Sequence, residues 1–312
     1  MSKLTAITSA MVLALNVLPA FAIAPVAAPA TKIEAQVPGT TTGAAFINVR
    51  RIFALYGDLI RQAPQYSQVE KAIAAGFPDP AKDLDQVGVV SNIDNFANSA
   101  AGVVVTGSIN MDGLMKFAQS QSVTFSPSLY RGVTLMTGKL DNRSTQVGFV
   151  DENTTIVSID AKGDGVHEGT KSLVATLKKE APSFGERNGL ALPANYLANV
   201  SLQVPAEIAA SADSVAGGQF APLKALKFLA ASVTADERSK DAKLEVVATC
   251  DTAENAAAVQ GLLQTLSGAL AGNASTASLL QKLTITLEGK NVTITLTIPR
   301  KDMESWVANG KR

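Results

Sequence analysis

A reaction at a protein surface needs a nucleophile, a base or a bound metal, and few side chains of this chain could supply one. Its 312 residues hold one histidine, His167, and one cysteine, Cys250. His167 stands in Lys162-Gly-Asp-Gly-Val-His-Glu-Gly169, a turn running into a helix. An imidazole there acts as a base only if a nucleophile is brought to it, and the local sequence predicts an exposed loop or first-turn residue instead. Cys250 ends a strand just before a helix start. A thiol at a helix N-terminus can be activated, but the alternation of the strand predicts a buried, inert one. Together the two are too few for a Cys/His metal site, which takes three or four ligands. Gly163, Gly165 and Gly169 miss the spacing of a phosphate-binding loop. Two acidic clusters offer oxygen ligands: Asp79, Asp83 and Asp85, then Asp160, Asp164 and Glu168. Neither follows the twelve-residue calcium loop, and both read as solvated turns. No catalytic residue, cofactor or metal is expected.

The basic pairs Arg50-Arg51 and Arg300-Lys301 read as solvated ends of elements. The side chains left to meet a partner are Trp306, near the C-terminus, and two polar loop tips. Asp151, Glu152 and Asn153 form one tip, and Lys290 and Asn291 the other. Tryptophan is enriched among interface anchors, although a lone Trp on a terminal helix also serves to dock that helix on its own sheet.

Composition points the same way. Lys+Arg and Asp+Glu are 27 each, so nothing marks a nucleic-acid partner. Hydrophobic residues are 46% but aromatics only 5%, so the core must be aliphatic. The N-terminus carries Lys3, an apolar stretch around Met11–Leu15, Pro19, and the small-residue box Ala20-Phe21-Ala22. That is the order of a secretory signal, predicted over residues 1–22. Residues 23–38 are rich in Ala and Pro and predict an extended leader. No later stretch approaches membrane-spanning length. A lone cysteine in an exported chain suits a periplasmic or extracellular bacterial setting.

The elements that must position these residues fall into two series. In the first, a strand over 44–49 leads to a helix over 52–75 that Pro64 should split. Strands over 87–90 and 102–107 follow, then a helix capped by Asn110 or Asp112. Three short strands and a helix over 167–180 close the series. In the second, strands over 199–204, 226–234 and 243–249 surround a helix over 206–216. A helix capped by Asp251 or Thr252 and a hairpin over 283–298 come next. Val292, Ile294, Leu296 and Ile298 alternate with Thr293, Thr295 and Thr297, which predicts one buried and one wet face. Asp302 should cap a last helix.

Each series reads β-α-β-β-α-β with an extra hairpin strand. The expected fold is therefore α+β: two related ferredoxin-like halves, over 39–188 and 189–312, with antiparallel sheets and helices on one face. This is the profile of an exported, non-enzymatic binding or structural protein of a bacterial envelope, its partner a protein or other envelope component. The alternatives are an exported hydrolase using carboxylates or a Ser/Lys pair, and an inhibitor-like module presenting its loop tips.

Overall fold

The computed structural model describes residues 32–91, 101–120, 122–140, 143–160, 166–188, 192–204, 221–270 and 280–309. The signal-like start and the helix expected over 206–216 lie outside the described residues. The chain divides into two units, Met1–Ala194 with Arg300–Arg312, and Asn195–Pro299. Within the described residues are twelve strands and seven α-helices.

In the first unit β1 (Gly43–Ile47) leads into α1 (Val49–Gln62). Asn48 caps α1, its Oδ1 accepting from the Arg51 N–H at 3.0 Å. The one-sided stripe Ile52, Leu55, Tyr56, Leu59 and Ile60 is buried. Pro64 separates α1 from α2 (Tyr66–Ala74), as expected. β2 (Leu84–Ser91) and β3 (Ala101–Gly107) follow, and Asn110 caps α3 (Met111–Ser120) through the Gly113 N–H. The chain then runs through β4 (Phe125–Tyr130), β5 (Val133–Leu140), β6 (Arg143–Asp151) and β7 (Thr154–Asp160). α4 (Glu168–Leu177) and the short α5 (Phe184–Asn188) close it. The strand order is β1-β2-β3-β7-β6-β5-β4.

This order overturns the ferredoxin-like expectation. In that plan two strands joined through a helix lie parallel, with another strand between them. Here β1 and β2, joined through α1 and α2, are direct antiparallel neighbours, Phe46 opposite Gly88. β4 to β7 are a plain meander of antiparallel pairs. The sheet dominates, and the chain is not two four-stranded halves with helices laid on one face. β4 escaped the sequence reading because Pro127 sits inside it and speaks against a strand, although Phe125, Pro127 and Leu129 alternate with Ser126 and Ser128.

Register shows how the first unit is covered. Phe46, Gly88, Val104, Ile156, Gly148 and Leu135 form one rank across six strands. All of them are buried. Gly102, on the same face, lets Leu173 of α4 approach: a Cβ there would stand 3.1 Å from a Leu173 methyl. Gly88 does the same for the N-terminal segment, a Cβ meeting Val37 at 2.9 Å and Ile33 at 3.2 Å. Ile33–Ala35 is a turn of 3-10 helix with Ile33 and Val37 fully buried. Residues 32–38 are thus a packed strap where their composition predicts an extended leader. Ile33 and Val37 gain more by leaving water than the neighbouring Ala/Pro composition suggests.

In the second unit β8 (Tyr196–Gln203), β9 (Leu226–Ala235) and β10 (Ala242–Cys250) are consecutive antiparallel neighbours. α6 (Ala253–Leu270) then crosses to the edge strand β11 (Leu283–Glu288), and β12 (Asn291–Ile298) returns beside β10. The order is β11-β12-β10-β9-β8. Thr252 caps α6, its hydroxyl accepting from the Asn255 N–H at 3.2 Å. The last helix, α7 (Arg300–Asn309), belongs to the first unit, where Arg300 bonds Asp58 of α1 at 2.8 Å. It begins at Arg300, two residues before Asp302, which lies in its first turn.

Candidate functional site

His167 is neither exposed nor in a loose turn. It is 1% exposed, at the N-cap of α4, above the covered face of β6 and β7. Its Nε2 lies 2.9 Å from Ser144 Oγ and its Nδ1 3.0 Å from Ser158 Oγ. Ser158 Oγ is 2.6 Å from Thr170 Oγ1, which donates to Gln146 Oε1 at 2.8 Å. The backbone N–H of His167 also donates to Gln146 Oε1, at 3.0 Å, which fixes the orientation of that amide.

Counting protons along this chain assigns the tautomer. Thr170 spends its hydroxyl proton on Gln146, so Ser158 must donate to Thr170. Ser158 then accepts from Nδ1–H, and in the neutral ring Nε2 accepts from Ser144. A Ser–imidazole contact of this length is what a general base holds to its nucleophile. Here Ser144 and His167 are both buried, so the oxygen is not presented to solvent. What the network does in place is fasten the first turn of α4 to two strands, with every hydroxyl in it bonded.

Several other chemistry-bearing residues are held in local structure, while Gly163, Asp164 and Gly165 lie outside the described residues. Cys250 is buried; burial pushes its thiol up, and the Asp251 carboxylate adds to the rise, so it stays protonated. Asp79 accepts from the Ala81 N–H and pairs with Lys82, while Asp83 accepts from the Asp79 N–H. Asp85 pairs with Arg50. Arg300 pairs with Glu304 as well as Asp58, so Arg50 and Arg300 are ion-paired rather than simply solvated. Among the described residues no three His, Cys, Asp or Glu side chains gather as a metal site would need. No described helix is long and apolar enough to cross a membrane.

The two loop tips differ. Asp151, Glu152 and Asn153 are exposed, and Asp151 closes an Asx turn on the Asn153 N–H at 2.8 Å. The Lys290–Asn291 tip is tied back, Lys290 Nζ to the Asp251 carbonyl and Asn291 Oδ1 to the Thr249 hydroxyl. Trp306 is 36% exposed on α7, whose buried side chain is Met303.

Among the described residues, one sheet face of the second unit is only partly covered. Register lines up Val200, Ala231, Val246, Ile294 and Ile285 in one rank, and Ala198, Val233, Leu244, Leu296 and Leu283 in the next. Every residue of both ranks is aliphatic. α6 covers the rank before them, where Ala248 and Val292 are buried against Ala256 and Val259. Beyond that rank cover is partial: Val200 is 47% exposed and the others are half-buried. The reverse face is polar, with Asn199, Ser232, Glu245, Thr295 and Thr284 in one rank. The alternation of β12 therefore separates apolar from polar as expected, yet only Val292 of its apolar set is buried.

Sequence reasoning missed both features. In β6 the alternation Thr145, Val147, Phe149 suggests the inward face, while the helix-covered face carries Ser144 and Gln146. The usable signal was Ser144, Gln146 and Ser158 at period two on neighbouring strands, with the chain's one imidazole nearby.

No protein-family model matches the chain, and no curated protein matches it. A solved structure described as crystal form IV of TP0453 is similar to it at 13% sequence identity and a TM-score of 0.46, over 88% of this chain and 95% of that one.

Proposed function

We propose that the chain is an exported, non-enzymatic binding protein of a bacterial envelope, working through the open aliphatic face of β8 to β12. The observation that carries this reading is the pair of uncharged ranks that α6 leaves half-exposed. Contiguous apolar surface of this kind marks interaction sites more often than scattered single residues do. Export is supported by the Lys3 start, the apolar stretch and the Ala20-Phe21-Ala22 box.

The first unit indicates what the face would accept. Its own sheet is covered by helices that present Leu173 and Val174, or Ile52 and Leu59, on one side. The ligand that fits the second unit is by the same logic an amphipathic helix with an aliphatic face, carried by a partner protein.

The test is a fluorescence-anisotropy titration of the purified mature protein with a labelled designed helix, Leu and Ala on one face and balanced Lys and Glu on the other. Saturable binding that Val246→Lys abolishes, with the circular dichroism spectrum unchanged, supports the reading. No binding, or binding indifferent to Val246→Lys, refutes it. Turnover of ester, peptide or glycoside substrates by the same preparation would refute its non-enzymatic half.

A further inference from the structure

The outer strands of the two units are finished differently. In the first unit β4 carries Pro127, which has no N–H to offer a new neighbour. In the second, β11 is Leu283-Thr-Ile-Thr-Leu-Glu288, without proline or glycine, and its register with β12 has no bulge. It stands last in its unit's strand order, and no described strand pairs with its outer edge. Thr284, Thr286, Leu287 and Glu288 are exposed. An open edge of this kind is a template for another strand unless something blunts it.

From this edge we infer that β11 pairs antiparallel with β11 of a second copy of the chain, forming a two-fold symmetric dimer. The sequence of the strand is complementary to its own reverse. With Ile285 opposite Ile285, Leu283 falls opposite Leu287 and Thr284 opposite Thr286. Lys282, immediately before the strand, falls opposite Glu288 of the second copy, twice by symmetry. This register keeps apolar residues on one face and polar ones on the other. A slip of one residue would set Leu and Ile against Thr throughout. A slip of two would separate Lys282 from Glu288. A two-fold interface needs one self-complementary patch, and here it is charge-paired at both ends and aliphatic at its centre. The inference is independent of the helix-binding reading, since it uses the edge of the sheet rather than its face.

The test is the mass of the full mature protein in solution, by sedimentation equilibrium across a wide concentration range. Wild type is expected as a monomer–dimer equilibrium. Glu288→Lys sets like charges together twice and should weaken association roughly tenfold or more. Lys282→Glu with Glu288→Lys restores opposite charges and should recover wild-type association. Lys282→Glu alone repeats the weakening should Glu288→Lys fold poorly, as judged by circular dichroism. A wild type that stays monomeric, a dimer untouched by the single swaps, or a double swap that fails to restore it would each overturn the inference.

Discussion

The two units follow one order of construction and end with different surfaces. Each lays down three consecutive antiparallel strands, crosses through a helix to the far edge, and returns by hairpin strands to the third. The first returns through four strands and the second through two. In the first, the helix after the last strand, α4, comes back over β7 and β3 and covers them. In the second, the helix in that place is α7, which belongs to the other unit and meets α1. The sheet face stays half-exposed in the unit whose own described residues supply no helix after the last strand. Composition differs too: the covered face of the first unit includes Phe46, Gly88, Gly148, Ser144 and Gln146, whereas the half-exposed ranks of the second are Ala, Val, Leu and Ile throughout.

Core truncation should expose this contrast most strongly. Leu173→Ala in the first unit removes a fully buried side chain and should cost about 3 kcal/mol, read from urea denaturation. Val246→Ala, on the half-open face, should cost no more than about 1 kcal/mol, since less area returns to water. Equal losses would erase the distinction.

The histidine network sharpens it from the other side. His167→Ala strips partners from buried Ser144 and Ser158 and should cost about 2–3 kcal/mol. Faster hydrogen exchange in the first turn of α4 would identify that turn as the part released.

Helix caps come next in size. Ser183 and Glu186 form a reciprocal capping box on α5, Ser183 N–H to Glu186 at 2.7 Å and Glu186 N–H to Ser183 Oγ at 3.2 Å. Ser183→Ala and Thr252→Ala should each cost about 1 kcal/mol, one in each unit.

The pH response should be smallest. Hydrogen bonds from Ser183 hold Glu186 below the usual carboxylate range, and the Asn255 amide does the same for Asp251. A depressed carboxyl stabilises the fold above its unfolded pKa, and that contribution is lost as pH falls through the folded value. Cys250, raised by burial, has the opposite sign: its contribution is present below the unfolded thiol pKa and is lost as pH rises through the folded one. Denaturation midpoints should therefore fall at both ends of the pH scale. Glu186→Gln should flatten the acid limb, and Cys250→Ala the alkaline limb.

Much of the local structure was legible in the sequence. The break at Pro64, the cap at Asn110 and the Thr-alternating strand β12 follow from dihedral preference, hydrogen-bonding groups and period. Strand order was not legible, because β-α-β in a sequence does not say whether the two strands become neighbours or take a third between them. β1 and β2 became neighbours. Alternation tells which residues share a face and is silent on what lies over it. That is why Val292 and Leu296 read alike in sequence and differ in burial. Polar residues beneath a helix invert the rule, as Ser144 and Gln146 do.

The openness of the second unit's sheet can be measured directly. In a Cys250→Ser background, a cysteine is placed either at Val246 or at Val104, its fully buried counterpart in the first unit, and the rate of modification by a bulky maleimide is followed under native conditions. Labelling should be fast at position 246, and at position 104 only as fast as the protein unfolds. Protection at 246 as deep as at 104 would mean that the face is closed, and the binding reading would fall with it.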